Sequence, residues 1–485
     1  MDSILSSIWI NNWSLGGAIL LVSLFIIVSY PEVGMTLLST LSYVLNEIHF
    51  PRSSLLIFVA AFTLGSLALY IYDHRGVRDP LRTVFREPLF WLVLSYMGLM
   101  VFSYLVFSRF DELSLGARII RFSFAINIIP FIGIMIIARD RYRLQRFINL
   151  MCLGIGVALI LFSISFLDVV LLAKYSAAQW RTFVNVFGLS ALSFGGYAFV
   201  GMLLGIVWIG GYPAKTIARK AAFPFAAACF FFLVLTGSRG IAASFVIGFG
   251  YFLWKVRRVG RSILKFSFFI TLIVIAAFFI IPGGTDIWTV LISRLESTMG
   301  EPVGMIPRMV TYKYAIEQFL EAPLFGVGVG MGGPVTLGMP VWLEYGTEPG
   351  IFFRTSVHSF YLTALVEQGV VGAAVVVLII VRTIRLIKNG KNAPSSHRMD
   401  DLRLIAVTSL VFSLLSGILG SATFFYWSVA LIWATGYEGI PKREHMPMQV
   451  ETGSFNPSGN SPPVRVGMRA ISNLAFASVK DRLDK

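Results

Sequence analysis

The 485-residue chain is 56% hydrophobic and only 13% charged, with 40 Lys and Arg against 25 Asp and Glu. A soluble globular domain has about 25% charged residues and could not keep this much apolar surface from water. The composition therefore excludes an ordinary soluble enzyme and indicates a membrane protein. The net charge of +15 does not indicate nucleic-acid binding, because the basic residues form short clusters between apolar segments. Both cysteines lie in apolar runs, which excludes a disulfide framework or a cysteine metal cluster.

Twelve apolar stretches are long enough, or nearly so, to cross a bilayer as helices. Strands of a membrane barrel are excluded, because they would alternate polar and apolar residues and these stretches do not. The stretches cover residues 14–31, 53–72, 88–108, 119–138, 147–172, 183–209, 221–236, 241–254, 263–282, 360–382, 403–420 and 422–437. We therefore expect an all-α polytopic membrane protein of about 12 transmembrane helices.

Clusters of Lys and Arg occupy every second loop between these stretches, and the loops in between are poor in both. By the positive-inside rule the basic loops are cytoplasmic, so the loop after the ninth stretch lies on the other side. The basic residues are Arg75, Arg78, Arg82 and Arg86; Arg139, Arg141, Arg143 and Arg146; Lys215, Arg219 and Lys220; Lys255, Arg257, Arg258, Arg261 and Lys265; and Arg382, Arg385, Lys388, Lys391 and Arg398. The short apolar segment 34–49 stays open: it could be an interfacial helix, a re-entrant piece or an extra span that moves the N-terminus outside.

Four parts follow from this pattern. Residues 1–282 hold transmembrane helices one to nine, and residues 283–357 form a large external loop between the ninth and tenth helices. Residues 358–437 hold helices ten to twelve, and residues 438–485 form a disordered cytoplasmic tail. The tail is rich in Pro, Ser and Gly and has too few apolar residues to build a core.

The external loop contains a helical pattern followed by a glycine-rich turn. Residues 307–319 (PRMVTYKYAIEQF) have Pro near the first turn of the predicted helix. One face of this helix carries Arg308, Tyr312, Ala315 and Phe319. The turn, PLFGVGVGMGG, contains a G-x-G-x-x-G spacing from Gly328 to Gly333, but the βαβ context of a dinucleotide site is absent. We therefore expect a tight loop packed close to the membrane surface.

Several cationic residues are predicted on the external face, where positive-inside statistics disfavour them. Arg239 lies in the short turn LTGSRG between the seventh and eighth stretches, and Arg308 and Arg354 lie in the large loop. Guanidinium groups bind phosphate oxygens bidentately, so two or three of them could clamp a diphosphate. A neutral imidazole at His358, where the tenth stretch begins, could take a proton from an incoming hydroxyl. Arg181, just outside the sixth stretch, adds to this basic surface.

Each of these residues also has a purely structural interpretation. Arg239 could extend to a lipid headgroup phosphate, and His358 could be an interfacial residue at a membrane boundary. Glu367 is better explained as a polar contact at a helix end than as a catalyst. The shared location of the arginines and the histidine favours an anion-binding site with a base beside it.

Three motifs in order resemble the O-antigen ligase and O-unit polymerase family of bacterial membrane glycosyltransferases. They are the LTGSRG turn, the helix with Arg308 leading to EAPLFGVGVG, and HSFYLTALVEQGVVG, all within about residues 231–382. The resemblance implies transfer of a glycan from undecaprenyl diphosphate on the periplasmic side of the inner membrane, without a nucleotide-sugar donor, a cofactor or an essential metal. It also implies that Arg239 and Arg308 hold the diphosphate and that His358 activates the acceptor hydroxyl. Many relatives have Asn after the His, where this chain has Ser359.

Two reactions remain open within this resemblance, namely polymerisation of lipid-linked repeat units and ligation of a glycan to the lipid A core. We favour the polymerase, because nothing in the sequence identifies a lipid A core site. A flippase or other transporter of lipid-linked glycans is the alternative from another class, but the paired halves and midplane charges typical of transporters are not evident. The expected partners are the lipid-linked donor, a glycan or lipid A core acceptor, membrane lipids, a flippase and a chain-length regulator, and no nucleic acid.

Overall fold

The computed structural model describes segments that cover most of the predicted spans. They are residues 26–41, 54–74, 80–107, 123–138, 140–171, 191–211, 217–235, 239–255, 306–331, 335–337, 352–354, 357, 359–389, 397–418 and 425–436. The predicted span at 263–282, most of the one at 14–31 and the predicted tail from 438 lie outside the described residues. Within the described segments helices predominate, with connecting turns and one two-stranded sheet.

The helices of these segments are numbered α1 to α13 along the chain. They are α1 Pro31–Thr36, α2 Ser54–Asp73, α3 Pro80–Arg86, α4 Pro88–Phe107, α5 Ile129–Ile137, α6 Arg141–Leu171, α7 Ala191–Gly211, α8 Ile217–Leu235, α9 Arg239–Lys255, α10 Ile306–Glu321, α11 Phe360–Asn389, α12 His397–Ser416 and α13 Phe425–Gly436. Two π-helical stretches, Leu37–Leu41 and Phe124–Ile128, continue α1 and lead into α5. The strands are β1 Val335–Leu337 and β2 Phe352–Arg354.

Four helices of the described part are long and apolar enough to cross a membrane, judged by length and composition. They are Leu56–Asp73, Pro88–Phe107, Arg141–Ile160 and Phe360–Asn389. Shorter apolar helices lie at Phe124–Ile137, Gly195–Val207, Lys220–Leu233 and Ile241–Lys255. The predicted helical, multi-pass character is confirmed, whereas the total of about 12 spans and the side of the large loop stay predictions.

The outward-facing surfaces of these helices are apolar. Leu69 is 52% exposed, Leu105 71% and Val246 66%, whereas the polar residues Thr63 and Ser409 are fully buried. A water-soluble bundle has the opposite arrangement, with polar residues on its outer faces. The pattern is that of helices whose outer surface contacts lipid.

Helices α4 and α11 pack antiparallel and make polar contacts at both ends. At one end, Glu87 Oε1 accepts hydrogen bonds from Arg382 Nε and Nη2 at 3.0 and 2.9 Å. Glu87 Oε2 accepts another from Trp433 Nε1 of α13 at 3.1 Å. At the other end, Ser103 Oγ donates to the carbonyl of Glu367. The helical rise between positions 87 and 103 separates these two ends by about 24 Å.

The two ends of helix α12 lie beside the two ends of α11. Arg403 Nη2 donates to the carbonyls of Leu386 and Ile387, near the C-terminus of α11, at 3.1 and 2.7 Å. At the opposite end, Phe360 N donates to the carbonyl of Gly417 at 2.8 Å. We refer to the end with Arg403 as the basic end of the bundle. The end with Phe360, where the predicted external loop meets α11, is the loop end.

The segment 34–49, which the sequence left unassigned, begins inside the bundle. Helix α1 and its π-helical continuation pack against α2 and α6. Glu32 is fully buried, and its Oε1 lies 3.2 Å from Arg143 Nη1 near the start of α6. Further along, Thr40 packs against Gly154. Because Arg143 belongs to a predicted cytoplasmic loop, this packing favours a segment that enters the membrane from the cytoplasmic side, as an extra span would.

Candidate functional site

Helix α10 of the predicted external loop packs on the loop end of the bundle through one apolar face. Ala315 is buried against Val357 and Val366, with Phe319 packed beside them. The face that the sequence predicted is therefore the face that meets the bundle. By helical spacing, position 308 lies on this same face, two turns before Ala315.

The glycine-rich turn that follows α10 docks on a break in α11. Gly369 has φ +67° and ψ −167°, which interrupts the helix and leaves backbone groups on both sides without intrahelical partners. Two N–H groups of the turn donate to the segment before the break: Val327 N to Val366 O at 2.9 Å, and Gly328 N to Glu367 O at 3.3 Å. Two N–H groups after the break donate to the turn: Val370 N to Pro323 O at 2.8 Å, and Val371 N to Leu324 O at 3.3 Å.

Two glycines with positive φ make this contact close. Gly326 (φ +76°) lies against the backbone of Glu367 and Gln368, and a Cβ there would come within 2.3 Å of the Glu367 carbonyl carbon. Gly369 lies against the backbone of Leu324, and a Cβ there would come within 2.2 Å of the Leu324 carbonyl oxygen. A side chain at either position would strain the backbone and push the turn and the helix apart.

Contacts with α4 hold the same turn from a second side. The Phe325 ring lies 5.7 Å from Phe102 edge-to-face and 6.4 Å from Phe107 in a stacked arrangement, measured between ring centroids. Ser103 Oγ, between them, donates to the carbonyl of Glu367. Glu367 itself is buried at the end of the first α11 segment, a position consistent with the structural role that the sequence favours.

The two short strands lie between α10 and α11 and carry the position of Arg354. They pair antiparallel, with Val335 opposite Arg354 and Leu337 opposite Phe352. The all-α expectation did not include this sheet, which forms because two extended segments of one loop meet side by side and pair their backbone groups. Arg354 is thereby the last residue of β2, four positions before His358.

His358 lies outside the described residues, but both of its neighbours are described. Val357 is buried against α10. Ser359 Oγ accepts a hydrogen bond from Leu362 N at 3.4 Å, the arrangement of a helix N-cap at the start of α11. The chain on both sides of His358 is therefore held at the loop end of the bundle.

Arg239 is the first residue of α9, which runs antiparallel to α12. Gly248 packs against Phe412, and Tyr251 lies near Arg403 at the basic end. The start of α9 is therefore at the loop end. The structure thus brings the chain positions of Arg239, Arg308 and Arg354, and both neighbours of His358, to the same end of the bundle.

Side-chain geometry of the predicted site is not part of the described structure. The side chains of Arg239, Arg308 and Arg354 lie outside the described residues, as do all atoms of Arg181 and His358. The backbone positions of Arg239, Arg308 and Arg354 are compatible with one site, and the individual roles of all five residues stay predictions.

Sequence reasoning missed the docking of the glycine-rich turn on α11, in which Gly326 contacts the Glu367 backbone and Gly369 contacts the Leu324 backbone. A signal was present at Gly369, which lies in a strongly apolar stretch predicted to be helical, where glycine weakens a helix. Gly372, one turn after the break, contacts its own helix, since a Cβ there would come within 2.4 Å of the Gln368 Cβ. The spacing of the glycines indicates where the backbone departs from regular helix, but it does not reveal which backbone segment each glycine contacts.

The fold is that of a multi-pass helical membrane protein, and the described part of the predicted site lies at one end of its helical bundle. Residues 224–377 match the sequence profile of the O-antigen ligase family. The match confirms, over this part of the chain, the resemblance to the O-antigen ligase and polymerase family that the three motifs show. It implies a glycosyltransferase-type activity on lipid-linked glycans in a bacterial membrane. A search of curated proteins finds no significant match.

Proposed function

We propose that the protein is an inner-membrane glycosyltransferase that moves a glycan from undecaprenyl diphosphate to a sugar hydroxyl on the periplasmic face. The observation that carries the proposal is the family match over residues 224–377, which contains the positions of Arg239, Arg308, Arg354 and His358. The common location of Arg239, Arg308, Arg354 and the neighbours of His358 at the loop end supports it. Arg181 lies outside the matched region and is the weakest member of the set.

The arginines act on the leaving group in this proposal. Arg239 and Arg308 hold the diphosphate, with Arg354 and Arg181 contributing to the positive potential around it. A guanidinium matches two phosphate oxygens at once, and charge that develops on the diphosphate as the glycosidic bond breaks is stabilised by fixed cations. The start of α9 adds to this effect at Arg239, because the first N–H groups of a helix also favour an anion.

His358 acts on the acceptor. Its neutral imidazole takes the proton of the attacking hydroxyl while the new bond forms between that oxygen and the anomeric carbon. The bond from the anomeric carbon to the diphosphate oxygen breaks at the same centre, and attack opposite the leaving group inverts its configuration. Nearby arginines help to keep the imidazole neutral, because a second positive charge beside them is unfavourable.

Complementation of a deletion strain tests this proposal. The variant His358→Ala should lose the surface polysaccharide while its amount in the membrane stays normal. The matched control is Glu317→Ala, which changes an exposed residue of α10 on the side away from the bundle and should restore the polysaccharide. Full restoration by His358→Ala would refute the proposed role of the histidine.

The same deletion strain separates the two reactions within the family. We favour repeat-unit polymerisation, since no feature of the described residues suggests a lipid A core site. A polymerase deletion leaves chains of a single repeat, whereas a ligase deletion accumulates lipid-linked polymer. The second outcome would assign the protein as a ligase and would leave the proposed donor chemistry unchanged.

A further inference from the structure

The side of α10 that does not meet the bundle carries large apolar residues. Ile316 is 50% exposed, Leu320 is 69% exposed, and in the following turn Leu324 is 62% and Phe325 39% exposed. We refer to these four residues as the apolar strip. A loop in free contact with water rarely presents so many large apolar side chains side by side.

Polar residues occupy the remaining face of α10. Glu317 and Glu321 are exposed, and Gln318 Nε2 donates to Glu321 Oε2 at 3.1 Å. The helix therefore has three sectors around its axis: one against the bundle, the neighbouring apolar strip, and a polar sector opposite the bundle. A helix at a membrane interface has this division, with one apolar sector in lipid and the polar sector in water.

The apolar strip is continuous with the outer surface of α4. Phe325 contacts Phe102 and Phe107, which are themselves 44% and 37% exposed, and Leu105 beside them is 71% exposed. Helix α4 is one of the helices long and apolar enough to cross the membrane. The medium that covers the outer surface of α4 therefore also reaches the apolar strip.

The contact with α11 places the turn at membrane depth. Gly369 contacts Leu324, and the rise of α11 from Gly369 to Arg382 is about 20 Å. The apolar layer of a bilayer is about 30 Å thick. With the ion pair of Arg382 and Glu87 at the inner edge of this layer, Leu324 lies inside it, in the outer half.

Irregular backbone is tolerated at this depth only where its polar groups are paired within the protein. The turn meets this requirement through the break in α11, since the four hydrogen bonds across the break pair N–H and carbonyl groups from both partners. A turn lying on the membrane surface would have water for these groups and would not need a broken helix to satisfy them.

From these observations we propose that the glycine-rich turn is a re-entrant element within the outer leaflet and that the apolar strip contacts lipid acyl chains. The loop is then anchored in the membrane beside α4, and its polar sector faces water. This anchoring fixes the height of α10, and with it the height of position 308, relative to the lipid headgroups. The inference rests on geometry and burial and does not depend on the reaction proposed above.

Fluorescence quenching on the full-length protein in bilayers tests this inference. A fluorophore is attached to single introduced cysteines in the variants Leu320→Cys and Leu324→Cys, with Glu317→Cys in the polar sector of the same helix as the matched control. The native residues Cys152 and Cys229 are buried, and the parent protein carried through the same labelling sets the background. Lipids with a doxyl group on the acyl chain should quench the labels at 320 and 324. Aqueous iodide should quench these labels roughly tenfold less than the label at 317, because an ion is excluded from hydrocarbon.

Two results would overturn the inference. Equal iodide quenching at 317, 320 and 324, with no effect of the doxyl lipids, means that the apolar strip faces water. Protection from both quenchers at 320 and 324 means that another segment of the chain, or a second copy of it, covers the strip instead of lipid. Neither reading requires glycan transfer, so failure of the proposed reaction leaves this test unaffected.

Discussion

Replacing Gly369 by alanine should separate the glycine-rich turn from α11. The new Cβ would lie 2.2 Å from the Leu324 carbonyl oxygen and 2.5 Å from Phe325 N, both of them backbone atoms that cannot rotate away. Gly369 also has φ +67° with ψ −167°, a conformation that residues other than glycine rarely adopt. The substitution therefore forces a movement of the backbone on one side of the contact.

The size of the effect follows from two contributions. Backbone strain at such a position costs about 1–3 kcal/mol. Each hydrogen bond lost across the break adds on the order of 1 kcal/mol, and the two shortest are Val370 N to Pro323 O and Val327 N to Val366 O. We expect Gly369→Ala to lower the free energy of unfolding by about 2–5 kcal/mol.

Unfolding of the purified protein, followed by tryptophan fluorescence at increasing denaturant, measures this change. Gly98→Ala in α4 is the matched control, because no heavy atom lies within 4 Å of a Cβ at that position, and helix propensity predicts a gain of about 0.5–1 kcal/mol. Gly326→Ala should resemble Gly369→Ala, and the double variant should cost much less than the sum, since both disrupt one contact. If Gly369→Ala is as mild as Gly98→Ala, the docking described for the turn is wrong.

Two further predictions concern the basic end and the N-terminal segment. Glu87→Ala should destabilise the protein by about 1–3 kcal/mol, because it leaves the partly buried guanidinium of Arg382 without its carboxylate. The double variant with Arg382→Ala should recover part of this loss. Simple additivity of the two single variants in a double-mutant cycle would contradict the pairing. If the segment 34–49 is an extra span, a cysteine introduced at Asn12 should react with a membrane-impermeant maleimide from the periplasmic side of intact inner membranes. Reaction only after lysis would place this residue in the cytoplasm and exclude the extra span.

Hydropathy predicted the helices well, because membrane burial acts on each stretch separately. The stretches at 53–72 and 88–108 correspond to Ser54–Asp73 and Pro88–Phe107 within one residue at each end. The stretch at 360–382 continues as a helix to Asn389, since helices extend beyond the apolar layer and long basic side chains tolerate its edge. Local apolar composition determines where a helix forms, and less strictly where it ends.

The break in α11 could not be predicted in the same way. Gly369 lies in an uninterrupted apolar stretch, and its conformation depends on a turn that follows α10, more than forty positions earlier in the chain. The pairing of Glu87 with Arg382 is a second example, with 295 positions between the partners. Arg382 was interpreted as a topology signal, and local sequence gives no indication that it also has a specific acidic partner. Contacts of this kind depend on tertiary packing, which no periodicity encodes.

For the candidate site, the sequence predicted which residues take part but not how the fold positions them. Charge on the external face and the motif order selected Arg239, Arg308, Arg354 and His358. The described backbone brings the first three positions and both neighbours of His358 to one end of the bundle. Two elements beside these positions could not be predicted from the sequence, namely the docking of the glycine-rich turn on the break in α11 and the two-stranded sheet.

The central claim is that the protein forms a glycosidic bond from a lipid diphosphate donor, with Arg239 and His358 essential. The most direct measurement supplies purified protein in bilayers with undecaprenyl-diphosphate-linked glycan and follows both the released lipid diphosphate and the lengthened or transferred glycan. The unaltered protein should release one lipid diphosphate for each bond formed, and Arg239→Ala and His358→Ala should form no product although they insert normally. Product formation by both variants at the rate of the unaltered protein would contradict the account, as would movement of the glycan across the bilayer without any new bond.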